Sequence, residues 1–132
     1  MNPQLDNVID FICDQDARYK RDVYDFVMEA LNYTQKRFRR VKHVTGEELL
    51  DGIRLFSMEK FGPMALTVLN HWGVKSTEDF GNIVFNLVEN KVLSKTDEDS
   101  IHSFKKGFDF QEAFGTGYQR QLEKKISRMR SM

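Results

Sequence analysis

Apolar residues recur along this chain with the period of an α-helix. Leu5, Val8, Ile9 and Ile12 step by three or four, behind an Asn2-Pro3 pair suited to an N-cap and a first helical position. Tyr19, Val23, Phe26, Val27, Ala30, Leu31 and Phe38 predict a long helix over roughly 18–36. Thr45-Gly-Glu-Glu48 then has the form of a capping box, in which the threonine hydroxyl takes an amide and Glu48 reaches back to the cap. Leu49, Leu50, Ile53, Phe56 and Phe61 make the stripe behind it.

Gly62-Pro63 closes that helix and opens a shorter one lined by Ala65, Val68, Leu69 and Trp72, which Gly73 ends. Ser76 with Asp79 marks the next start, and Phe80, Ile83, Val84, Leu87 and Val88 form its apolar side, with Val92 and Leu93 tucked in behind. The stretch SKTDEDSIHSFKKGFDF fits a short hairpin or an irregular turn. From Phe110 the residues Phe114, Tyr118, Leu122, Ile126 and Met129 predict a last helix broken near Gly115-Thr-Gly117. The expected fold is mainly α: one compact domain of five to six helices over 1–114, with a basic amphipathic tail over 115–132.

Composition narrows this little further. The 132 residues, 40% of them apolar and with eleven Phe, suffice for one packed core without metal or disulfide. Cys13 is the only cysteine, so no intrachain disulfide forms, and its apolar neighbours suit a buried thiol. No run approaches about 18 consecutive apolar residues and the start lacks a signal-peptide pattern, which makes a cytoplasmic location the expectation.

Charge changes the picture more. The total is zero, from 20 basic and 20 acidic residues, but the signs are segregated. Residues 1–17 hold four acids and no base, and residues 18–43 hold eight bases against three acids. Residues 44–113 hold twelve acids against seven bases, and residues 114–132 hold five bases against one acid. Clustered charge creates local fields that a balanced total hides.

The ordered segments HVTGEELLDGIR, FGPMALTVLNHWGV, TEDFGNIVFNLVENKVLSKTDEDS and FDFQEAF resemble a family of small bacterial proteins without a known activity. The likeness runs over roughly 18–114. It implies a compact bacterial domain and carries no catalytic residue or cofactor with it.

Two basic zones are the candidate sites. Lys36, Arg37, Arg39, Arg40, Lys42 and His43 form the denser one. It runs past the expected helix end, so attraction to the helix dipole does not explain all of it, and contact with phosphates is the functional reading. Arg120, Lys124, Lys125 and Arg128 surround Leu122, Ile126 and Met129 in the tail, a pattern suited to a partner's groove or an anionic surface. No Trp or Phe follows Phe114 to anchor such a helix in lipid.

Enzyme chemistry has thinner support. His43 with Glu47 one turn on could form a general base, but no nucleophile accompanies them. The chain lacks HExxH, CxxC and phosphate-cradling glycine motifs, and DEDSIHSFKKGF lacks the glycine and glutamate of a calcium loop. A winged-helix order is an alternative fold, with a wing at SKTDEDSIHSFKKG. Its groove-reading helix would show Glu78, Asp79, Asn82, Asn86, Glu89 and Asn90 outward, the wrong sign for DNA. The sequence therefore points to a non-enzymatic binding module without cofactor or metal, meeting an acidic protein or structured RNA.

Overall fold

A computed structural model describes residues 3–41, 43–94, 103–105 and 107–130; the side chains at 3, 116–119, 121 and 130 fall outside that description. The chain is mainly α. Helices α1 (Pro3–Gln15), α2 (Arg21–Arg37) and α3 (Gly46–Phe61) are followed by a 3₁₀ turn (Gly62–Met64), α4 (Ala65–His71) and α5 (Thr77–Glu89). Residues 103–105 are helical, and α6 (Phe110–Phe114) and α7 (Thr116–Arg130) complete the order. The last predicted helix is thus two, divided at Gly115, where an added Cβ would meet the Gln111 carbonyl oxygen at 3.1 Å. Among the described residues there is no strand. The expected hairpin near 93–106 falls mostly on 95–102 and 106, outside them.

The stripes read from the periodicity do form the core. Ile9 and Ile12, Val23 through Ala30 on one face of α2, Leu49, Leu50 and Ile53, and Ala65 and Leu69 are buried together. Phe80, Ile83, Val84 and Leu87 of α5 close one side, with Phe104, Phe110 and Phe114 over them. The pair α2 and α3 packs most extensively, and Gly52 is what lets it close. A Cβ there would lie 2.8 Å from Thr34 Cβ and closer still to its hydroxyl oxygen, so the two backbones approach only because position 52 has no side chain.

Local chemistry sets the ends. Thr45 Oγ1 accepts the Glu48 amide at 3.0 Å while the Glu48 carboxylate accepts the Thr45 amide at 2.9 Å, the reciprocal cap expected. At the start of α5 the Asp79 carboxylate takes the amides of Lys75 and Ser76 at 2.8 and 3.2 Å. Gly62 at φ +52° and Gly73 at φ +91° occupy backbone that a side chain would strain. Gly73 also lies against the Arg18 carbonyl, and the Lys20 amide donates to the Trp72 carbonyl at 3.0 Å, which ties the entry of α2 to the exit of α4. That turn explains why α2 begins at Arg21 and not near 18: Asp16 accepts the Arg18 amide, holding the chain in a bend first.

Candidate functional site: two cationic surfaces

The first basic zone straddles the end of α2. Lys36 and Arg37 sit in its last turn, exposed, where the helix's partial negative charge favours cations. Arg39 follows in the left-handed region at φ +55°, and the Arg40 amide reaches back to the Gln35 carbonyl at 2.8 Å. Glycine is the usual occupant of such a closing position, so holding arginine there costs about 1–2 kcal/mol. Arg40 is neutralised: its guanidinium meets the Glu48 carboxylate at 3.1 Å. The Glu48 carboxyl lies below its ordinary value, chiefly through the Thr45 amide and then Arg40. Lys36, Arg37 and Arg39 have no carboxylate partner among the described residues, and Lys42 lies outside them.

His43 is exposed at the edge of a cavity of about 170 Å³. Its walls are largely apolar, from Leu31, Val44, Leu49, Val84, Val92 and Phe104. Of its polar liners, Thr45 already caps α3, and Glu47 is not among the residues that line it. No hydrogen bond joins His43 to Glu47 among the described residues, so the geometry assembles no base with an orienting acid there.

The second zone is α7. Arg120 pairs with Glu112 of α6 at 3.1 Å, with both side chains well exposed, so the pair is weak. Lys124, Lys125 and Arg128 are exposed and have no carboxylate within ion-pair distance among the described residues. Between them run Leu122 at 40%, Ile126 at 42% and Met129 at 72% exposure, an apolar row at helical spacing that stays partly exposed among the described residues. The two zones rest on different elements, α2 and α7, and the charge segregation seen in the sequence survives folding in both. Of the nine candidate residues that are described, Arg40 and Arg120 are drawn into internal pairs.

One expectation is overturned. Asp79, Asn82 and Asn86 do not face outward on α5; they turn onto the junction of α1 and α2. Tyr19, 3% exposed, donates its hydroxyl to Asp79 at 2.6 Å and accepts from Asn82 at 3.0 Å. Asn86 donates to Asp16 at 3.0 Å and to the Tyr24 hydroxyl at 3.1 Å. Desolvation first, then the Asp79 contact, pushes the Tyr19 phenol up to about 12. Paired hydrogen bonds from Arg18 hold the Asp16 carboxyl far below its ordinary value. Asn90 bonds within its own helix, to the Asn86 carbonyl, which leaves Glu78 and Glu89 as the exposed acids of α5. A polar stripe on a helix is thus its packing face where tyrosines and a carboxylate stand opposite. No sequence signal marks this, because the partners lie some 60–70 residues away.

Other candidate chemistry stays bland. Cys13 is partly buried, and desolvation raises its thiol, which makes it a poor nucleophile at neutral pH. Among the described residues no group of His, Cys, Asp and Glu could hold a metal ion, and no helix is long and apolar enough to cross a membrane. Comparison of the chain with protein-family models, curated proteins and solved structures gives no match.

Proposed function

We propose that the protein is a non-enzymatic interaction module that engages an acidic protein partner through α7. The supporting observation is the partly exposed row Leu122, Ile126 and Met129 on a helix whose Lys124, Lys125 and Arg128 have no carboxylate within ion-pair distance among the described residues. Burying each apolar side chain in a partner's groove would contribute about 1–2 kcal/mol, because each is already partly covered. The helix is formed beforehand, so little backbone entropy is lost on docking. Opposite charge around the groove would speed encounter and select the partner, and would do so less at high salt. Such a surface is the cationic counterpart of known helix-in-groove recognition, where anchors repeat at i, i+4 and i+7.

A second reading concerns structured RNA at the end of α2. It is favoured by Arg39, held in a strained left-handed conformation beside exposed Lys36 and Arg37. Phosphate contact by these three would make affinity fall steeply with salt.

Capture from native lysate on the immobilised full chain, with and without nuclease, separates the two. A partner held through α7 survives nuclease and is lost in Lys124→Glu/Lys125→Glu/Arg128→Glu and in Ile126→Asp. RNA held at α2 disappears with nuclease and is lost in Lys36→Glu/Arg37→Glu/Arg39→Glu. Capture indifferent to both variant sets would end both readings.

A further inference from the structure

A third surface has the opposite character. Asp22, Asp25 and Glu29 follow one another at three- and four-residue steps along α2, and Phe61 and Trp72 stand across from them at the ends of α3 and α4. Phe26 forms the floor. Together with Lys60 they line an open cleft of about 210 Å³ whose three carboxylates are exposed. The three rings pack as one cluster: Phe26 lies 5.5 Å from Trp72 and 5.6 Å from Phe61, and Phe61 meets Trp72 edge-on at 76°. Phe61 and Trp72 are only partly buried, so ring surface is available at the mouth.

One ammonium group is already held at this edge. Lys60 places Nζ 2.7 Å from the Glu29 carboxylate and 5.5 Å from the centre of the Phe56 ring, a carboxylate and an aromatic face gripping one cation. The neighbouring positions lack that partner. Arg21, the nearest guanidinium in sequence, turns away to Asp6 and Asp10. Asp22 and Asp25 are left without a base within ion-pair distance among the described residues, beside aromatic walls. Desolvation, opposed by Arg21 and reinforced by Asp6, Asp22 and Glu29, raises the Asp25 carboxyl above its ordinary value. A positive charge in the cleft would offset the repulsion among Asp22, Asp25 and Glu29 and gain the ring faces as well.

We propose that the cleft of Asp22, Asp25, Phe61 and Trp72 is a binding site for a guanidinium or primary ammonium group. The site uses none of the α7 residues and does not rest on the function proposed for them. An anionic ligand is disfavoured, because two carboxylates, without a base within ion-pair distance among the described residues, flank the partly exposed rings of Phe61 and Trp72.

Trp72 is the single tryptophan of the chain, so tryptophan emission, excited selectively over the four tyrosines, reports on this cleft. The full-length protein is titrated with arginine amide, with citrulline amide as its neutral counterpart, and with a peptide of residues 116–130 of the same chain. A saturable change with arginine amide and with the peptide, and none with citrulline amide, is expected. Loss of a carboxylate next to a bound cation weakens binding about tenfold or more, which is the expected effect of Asp25→Asn and of Asp22→Asn/Asp25→Asn. Both variants should keep the helical circular dichroism of the parent, and Asp25→Asn should unfold no earlier than it at neutral pH. Equal saturation by arginine amide and peptide identifies a small organic cation as sufficient; much tighter peptide binding identifies a basic protein segment as the source. No saturable change with either cation, an equal response to citrulline amide, or unchanged affinity in Asp22→Asn/Asp25→Asn would overturn the proposal.

Discussion

Replacing Tyr19 by phenylalanine removes one oxygen and disconnects α5 from the turn before α2. The ring stays, with its packing and its contact under the Arg18 guanidinium 5.1 Å away. Two hydrogen bonds go: the one donated to Asp79 at 2.6 Å and the one accepted from Asn82 at 3.0 Å. A bond to a charged group is worth about 1.5–3 kcal/mol, and an orphaned buried partner adds to the loss. Two features hold the cost down. Asp79 keeps the amides of Lys75 and Ser76, and Asp79 and Asn82 are half-buried, so water can replace part of what is lost. A net destabilisation of about 1.5–2.5 kcal/mol follows, about 5–9 °C in melting temperature for a chain of this size. Urea unfolding followed by circular dichroism should show a lower midpoint with an unchanged slope. Tyr24→Phe is the internal comparison: its hydroxyl accepts one bond, from neutral Asn86 at 3.1 Å, so about 1 kcal/mol is expected. A Tyr19→Phe loss below about 0.5 kcal/mol, or below that of Tyr24→Phe, would refute the network as a structural tie.

Gly52→Ala should destabilise by about 1–3 kcal/mol, although alanine is the better helix former by about 1 kcal/mol. The new methyl meets Thr34, which is fully buried and pinned by its bond to the Ala30 carbonyl at 2.7 Å; thermal melts of Gly52→Ala, Thr34→Ala and the double variant should show partial rescue. Ser57→Ala should raise stability by about 1–2 kcal/mol, because the buried hydroxyl has no hydrogen-bond partner among the described residues; a lower melting point would contradict this. Stability against pH should fall at both extremes. The lowered Asp16 carboxyl contributes above the unfolded value near about 4 and loses that contribution on acidification. The Tyr19 phenol, raised to about 12, contributes fully below the unfolded value near about 10 and loses it as pH climbs between the two. Asp16→Asn should flatten the acid limb and Tyr19→Phe the alkaline one.

What the sequence reveals here is what depends on near neighbours. The Thr45–Glu48 cap, the Gly62-Pro63 junction and the break at Gly115 are each decided within a few residues. The buried stripes are legible because one period places Ile53 and Leu49, or Ile83 and Leu87, on one side of a helix. The inward turn of Asp79, Asn82 and Asn86 is not legible, because a polar stripe looks solvent-facing until Tyr19, Tyr24 and Asp16 are known to oppose it. The cleft is hidden for the same reason: its carboxylates come from α2 and its rings from α2, α3 and α4. Of the cationic zones, sequence locates the charges. Only the fold separates Arg40 and Arg120, bound internally, from Lys124, Lys125 and Arg128.

Recognition through α7 is tested most directly by a photo-crosslinking residue at position 126, in cells, against the same residue at exposed Thr67 of α4. The expected result is a covalent adduct with an acidic protein from position 126, resistant to nuclease, absent from position 67 and lost when Lys124, Lys125 and Arg128 are reversed in sign. No adduct above the position-67 background, or adducts that persist after charge reversal, would contradict it.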